Sequence, residues 1–419
     1  MRQSDRDTQF PVCKTAGWDT ILPAMSLRRI SLLVIAVTAV GGAQSPAPPQ
    51  PQAVRAAQTV WQMQESGTTA SVRGIDSVDG EVVWASGTGG TVLKTIDGGA
   101  HWQKCAVPDA ATDGATLDFR GVQAWDSDTA IVMASGLGDK SRLYKTTDGC
   151  KTWRIVLRNP EKEGFWDAVY FGERGDGKGR GNTGYLLGDP VDGVFWLLIT
   201  HDSGQHWTKQ KGTGLRVPPS TQGAFAASNS SIINFRSWPV FGSGGSGGAF
   251  AYSVSESEIC VDACSPAEMN LDGRKDKWIR QAVPAGKSTE ASGIFSISGR
   301  APYAGAPFFS VIVAVGGDYT KPNESEGTAA WSADSGRTWT ASTTPPHGYR
   351  SSVQWYEALK LWITAGANGS DISRDDGRTW QILDDGNWNA LSLPFVVGPN
   401  GRIARLNAAA LAPSPPPAR

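Results

Sequence analysis

The groups in this 419-residue chain that could do chemistry are arginines and aspartates, not cysteines and histidines. It holds only 4 His and 5 Cys, and they form no cluster spaced like a haem or transition-metal site. Gly87-Thr-Gly-Gly90 and the glycine-rich run 242–248 do not open a helix after a strand, so neither cradles a nucleotide. Arg73, Arg120 and Arg350 remain, each entering an apolar segment ahead of a repeated turn. Three guanidinium forks brought together would suit a carboxylate or a phosphate. Asp167, Asp189, Asp318 and Tyr319 are the polar residues expected beside them. A glycosidase needs two carboxylates roughly 5–10 Å apart across a cleft. Asp189 and Asp318 are the only pair to nominate for that work. No cofactor and no metal is expected.

What must position these groups is an internal repeat. Five segments align without gaps: KTIDGGAHW (94–102), KTTDGCKTW (145–153), THDSGQHW (200–207), SADSGRTW (332–339) and SRDDGRTW (373–380). A looser copy, LDGRKDKW, spans 271–278. The aspartates Asp97, Asp148, Asp202, Asp272, Asp334 and Asp375 lie 41 to 70 residues apart. Steps of ~40–50 residues suit four short strands and their turns, one propeller blade, and longer steps carry insertions. An Asp followed by Gly braces a tight turn, because the carboxylate accepts backbone N–H groups while Gly supplies positive φ. Trp102, Trp153, Trp207, Trp278, Trp339 and Trp380 then open the next strand as apolar plates that wedge between sheets. These aspartates are therefore turn braces. His101, His201 and His206 fall inside the same turns.

The repeat resembles the Asp-box (BNR) motif of β-propellers, S/T-x-D-x-G-x-T-W. More widely, residues 61–407 resemble secreted bacterial proteins related to the photosystem II stability/assembly factor family. The matching stretches are LGDPVDG (187–193), GAFAASNSS (223–231), VGGDYTKP (315–322), PPHGYRSSV (345–353) and VGPNGRIAR (397–405). The resemblance implies an assembly or binding role. Some such proteins are labelled oxidoreductases and others glycosyl hydrolase repeat proteins, and no residue pattern here supports the oxidoreductase label.

The expected architecture is all-β: one seven-bladed propeller over 61–407. Six repeats mark six blades. Trp61-Gln-Met-Gln-Glu65 joins the strands 389–394, 395–398 and 402–406 to complete a seventh and close the ring. On this plan Arg73, Arg120, Asp167, Ser292, Arg350 and Asn389 enter the innermost strands and form a polar ring at one channel mouth. Asp189, Asp318 and Tyr319 come from companion loops on that face, and the Asp turns lie on the opposite one.

Ahead of the propeller, Arg28-Arg29 and the apolar run 30–40 read as a signal peptide over 25–45, too short to span a membrane. Residues 1–24, with Asp5, Asp7 and Asp19, read as an upstream extension, 46–60 as a Pro-rich linker and 408–419 as a disordered tail. Export to the periplasm or beyond permits disulfides. Cys260 and Cys264 are the expected local pair, with Cys105 and Cys150 completing an even set. With Lys+Arg 39 against Asp+Glu 40, net charge −1, no basic field recommends nucleic acid. The expected function is a monomeric, exported binding or assembly-scaffold protein whose protein partner or anionic ligand meets the arginine-bearing face. The alternative is a carbohydrate-active hydrolase or lyase.

Overall fold

The computed structural model describes residues 59–173, 180–210, 213–218, 220–235, 238–254, 278–301 and 311–411. The signal-peptide segment, the Cys260–Cys264 pair and Asp272 lie outside the described residues.

Strand β1 (Trp61–Gln64) stands apart in sequence from the sheet it joins. Blade 1 is β2 (Val72–Ser77), β3 (Val83–Gly87), β4 (Val92–Thr95) and β5 (Gln103–Lys104). Blade 2 is β6 (Phe119–Ala124), β7 (Ala130–Ala134), β8 (Arg142–Thr146) and β9 (Arg154–Arg158). Blade 3 is β10 (Trp166–Glu173), β11 (Arg180–Val191), β12 (Val194–Thr200) and β13 (Thr208–Lys209). Blade 4 is β14 (Ile232–Phe235), β15 (Trp238–Ser243), β16 (Phe250–Val254) and β17 (Trp278–Ala282). Blade 5 is β18 (Ser292–Arg300), β19 (Val311–Asp318), β20 (Ala329–Ser332) and β21 (Thr340–Ala341). Blade 6 is β22 (Ser352–Tyr356), β23 (Leu361–Gly366), β24 (Gly369–Ser373) and β25 (Gln381–Asp384). β26 (Ala390–Ser392), β27 (Phe395–Val397) and β28 (Ile403–Leu406) complete blade 7. They do so with β1, which pairs antiparallel to β28 in the register Trp61 to Leu406. The result is seven four-stranded sheets, the expected seven-bladed all-β propeller. Helical structure among the described residues is confined to short 3-10 turns.

The repeat turns fold as their residues dictate. Asp148 Oδ1 accepts from the Thr146 hydroxyl at 2.9 Å and the Thr152 amide at 3.0 Å, and its Oδ2 accepts from the Thr152 hydroxyl at 2.6 Å. Asp97, Asp202, Asp334 and Asp375 repeat the bond from the preceding Ser/Thr and the one from the amide four residues on. Hydrogen bonds from His101 and Thr95 hold the exposed Asp97 carboxylate at about 2, and those from Thr152 do the same for Asp148. The tryptophans that follow pack into cores shared with the neighbouring blade. Trp102 meets Phe395 edge-on at 6.4 Å, and Trp153 meets Trp84 at 6.4 Å.

Blade joins are also sealed around the channel. An inner strand leaves one edge of N–H groups without a sheet partner, and such groups must be satisfied. Side chains of neighbouring inner strands supply the acceptors. Asp76 Oδ2 takes the Ala124 amide at 2.7 Å, Gln123 Oε1 takes Phe171 at 3.0 Å, and Ser296 Oγ takes Val353 at 2.9 Å. Ser352 Oγ takes Leu391 at 3.2 Å, and Ser392 Oγ closes the circle on Ser77 at 2.8 Å.

Candidate functional site

Four inner strands carry a register shift at the channel mouth. It falls between Val72 and Gly74, Phe119 and Gly121, Trp166 and Ala168, and Ile294 and Ser296. The extra residue of each bulge is Arg73, Arg120, Asp167 and Phe295. A bulge leaves one residue out of the ladder and re-aims its side chain, so this is a device for presenting groups at the mouth.

Arg73 and Arg120 meet there, but over a residue the motifs did not flag. Both reach the same oxygen of Asp118: Arg120 Nε at 2.8 Å and Arg73 Nη2 at 3.5 Å. Arg120 also donates to the Ala226 carbonyl at 3.1 Å. Arg73 Nε and Asp118 Oδ1 are buried without a hydrogen-bond partner. The signal that could have found Asp118 is its place two residues before Arg120, at the entry to the inner strand β6.

Arg350 does not join them, which corrects the expected ring. Ser352 pairs with Ala365, as Gly74 pairs with Ser86, so Ser351 and not Arg350 holds the place equivalent to Arg73. One residue of slip turns the side chain to the other face of the strand. Arg350 is fully buried within its own blade, where Nε and Nη2 meet Asp371 Oδ2 at 2.7 and 2.5 Å and Nη1 reaches Asn368 Oδ1 at 2.5 Å. His347 bridges to the other oxygen of Asp371 at 2.7 Å. Ser292 is displaced from the ring in the same way, because the bulge in β18 puts Phe295 in its place. Asn389 keeps its position, donating to the Val72 carbonyl at 2.8 Å.

The carboxylates divide. Asp318 accepts from the Thr289 hydroxyl at 3.0 Å and from the Thr320 hydroxyl and amide at 2.6 and 2.9 Å. Burial pushes it up, but these bonds outweigh burial and hold it below the usual carboxylate range. Asp189 instead lies near Asp167. Burial lifts Asp189 to about 6, against one amide bond from Ala224 at 3.0 Å. Burial, and then the Asp189 charge, raise Asp167 well above the carboxylate range, with Arg120 pulling the other way. Asp167 Oδ2 has no hydrogen-bond partner. The two acids that share one neighbourhood are therefore Asp167 and Asp189. Tyr319 is exposed at this face, its ring 6.1 Å from Phe295. Among the described residues no group of His, Cys, Asp and Glu side chains is arranged to hold a metal ion, and no helix is long and apolar enough to cross a membrane.

No protein-family model and no curated protein matches the sequence. Solved structures do match. YCF48 from Cyanidioschyzon merolae aligns with a TM-score of 0.53 and 19% identity, over 84% of this chain and 100% of that one. The chain shares the YCF48 fold. A structure of YCF48 bound to D1 peptide aligns with a TM-score of 0.49 and 17% identity, over 83% of this chain and 97% of that one. An ancestral GH74 enzyme aligns with a TM-score of 0.45 and 13% identity, over 81% of this chain and 41% of that one. At 19% identity the likeness to YCF48 from Cyanidioschyzon merolae is one of fold.

The raised carboxyls make a prediction about pH. Asp189 titrates near 6 when folded and near ~3.9 when unfolded, so the native state holds the extra proton between those values. Stability attributable to this group is present below about pH 4 and is lost as pH climbs towards 6. Asp189→Asn keeps an acceptor for the Ala224 amide and removes the buried charge. It should raise stability at pH 7–8 by about 2–3 kcal/mol and leave pH 4 nearly unchanged. Denaturant titrations of both proteins at the two pH values check this, and a variant destabilised equally at both would sink it.

Proposed function

We propose that the protein is an exported binding or assembly-scaffold propeller whose partner docks an anionic group at the mouth between Arg73 and Arg120. The observation that carries this is the unequal pairing there. Two guanidinium groups share one oxygen of Asp118 and so outnumber the acceptors they meet, and both side chains reach solvent. A fork with unused donors, about one quarter exposed, is suited to a carboxylate that arrives from outside. Export is supported by the Cys105–Cys150 disulfide, a bond that persists in oxidising compartments. The resemblance to assembly-factor propellers favours a protein as the partner.

Capture of partners from the native envelope, compared between wild type and Arg73→Ala and Arg120→Ala, tests this. Each substitution removes a charged hydrogen bond of about 1.5–3 kcal/mol, so affinity for the captured partner should fall roughly 10- to 100-fold. Retention of the same partner at wild-type affinity by the double variant would end the proposal.

A further inference from the structure

One segment at the mouth belongs to no sheet. Between the isolated bridge at Gly223 and the start of β14 at Ile232, residues 224–231 cross the channel entrance outside the strand ladders. They touch the inner strands of four other blades. The Ala224 amide donates to Asp189 of blade 3, and Arg120 of blade 2 donates to the Ala226 carbonyl at 3.1 Å. Phe225, between them, stacks on Phe295 of blade 5 with ring centroids 3.9 Å apart and planes 16° from parallel. The Ser228 hydroxyl donates to the Ser351 carbonyl of blade 6 at 2.6 Å. Asn229 accepts from the Val169 amide at 2.8 Å and donates to the Val122 carbonyl at 3.3 Å.

This is how a bound peptide would be held: one N–H to a carboxylate, a carbonyl two residues on to a guanidinium, and the aromatic between them on an aromatic plate. The flanking Ala224 and Ala226 are each 6% exposed, so only small side chains fit beside it. Few backbone ladders tie the segment down, so its hold rests on the single hydrogen bonds and the ring contact just named. Its closed position also has a cost. Asp167 takes a backbone bond from Ala226 of the segment, but its Oδ2 is buried with no partner, and opening would return water to that oxygen.

We propose that residues 224–229 are a built-in competitor for the mouth, and that the partner displacing them is an extended peptide segment carrying an aromatic residue between two small ones. This rests on the mouth being the partner surface, and adds the partner's class and the competition it must win. Phe225 is replaced against Phe295 by the partner's aromatic ring, while Asp189 and Arg120 exchange one backbone for another. Arg120 keeps its Nε on Asp118 throughout, so the anionic group of the partner is met beside it at Arg73.

Native-state hydrogen exchange and one synthetic probe test the inference. The probe is the peptide Gly-Ala-Phe-Ala-Ala-Ser-Asn, with a Phe-to-Ala form as its control. In wild type, the amides of Ala224, Ala226 and Asn229 should exchange at least 100-fold faster than those of Val132 in β7 and Leu186 in β11, which are paired on both sides. Phe225→Ala should bind the probe at least 10-fold more tightly than wild type and ignore the control peptide. Ser228→Ala, which removes a single anchor on blade 6, should act in the same direction should Phe225→Ala fold poorly. Asp189→Asn should slow exchange of the segment, because the buried charge that favours opening is gone. A merely structural segment would exchange only with global unfolding and would be loosened by all three substitutions, and that result overturns the inference. Partner capture that still depends on Arg73 and Arg120 would then leave the docking surface standing without the competitor, whereas loss of that dependence would remove both.

Discussion

Arg350→Ala should be among the most destabilising single substitutions in this protein, at about 3–5 kcal/mol, while leaving ligand affinity per folded molecule unchanged. Removing the guanidinium leaves Asp371, 1% exposed, as a buried carboxylate facing only His347. It also strips the Asn368 side chain and the Tyr349 carbonyl of the donor they share. Burial pushes the Arg350 guanidinium down from its ordinary value and Asp371 pushes it back up, so the pair survives folding as a pair. The prediction has an internal control. Arg350→Ala combined with Asp371→Ala removes both charges and should be much less damaging than the two single losses added together. Denaturant midpoints of the four proteins give the coupling directly. A freely additive cycle would show that the two groups do not depend on each other. A fall in partner affinity without loss of stability would return Arg350 to the binding site.

Arg350 also marks where the amino-acid sequence stopped being legible. The turn motif fixes chain direction and blade count, because Asp, Gly and Trp at constant spacing each answer a local demand. The closing strand was legible for a related reason: Trp61–Gln64 is a strand-like piece with no partner in its own neighbourhood, and Ile403–Leu406, paired with β27 on one side, leaves its other edge for it. Side-chain direction in the inner strands was not legible, since it depends on bulges. Arg73-Gly-Ile and Arg120-Gly-Val carry the bulge, whereas Arg350-Ser-Ser lies one residue early, and nothing in the residue types announces the difference. The crossing segment is not legible because GAFAASNSS has a strand-like beginning and a serine-rich end. Its true partners lie on four other blades. The Asp167 and Asp189 pair is a cross-strand neighbourhood created by the same kind of bulge in β10.

The Cys105–Cys150 disulfide has a signal in the repeat itself. Four repeat turns place Gly two residues after the Asp, at φ between 80° and 85°, and blade 2 places Cys150 there at φ 69°. A residue with a Cβ in that left-handed region carries a penalty of about 1–2 kcal/mol that glycine escapes. The compensation is a bond to Cys105, which follows β5 at the outer rim of blade 1 and is 45 residues away in sequence. Closing a loop of that length removes about 4 kcal/mol of unfolded-chain entropy, of which about 2–4 kcal/mol is commonly realised. Cys105→Ser should therefore cost about 2–4 kcal/mol, and reduction of the wild type should reproduce that loss. Cys150→Gly breaks the same bond and relieves the strained turn, so it should cost about 1 kcal/mol less than Cys105→Ser. Denaturant unfolding with and without reductant distinguishes the cases. Equal losses for the two variants would show that the left-handed turn carries no strain, and a wild type indifferent to reductant would show that the bond does not form. Partner affinity should survive reduction, because Arg73 and Arg120 are held by Asp118 and by the Asp76–Ala124 bond between inner strands. The staple acts on the rim, and the mouth is fixed by its own contacts.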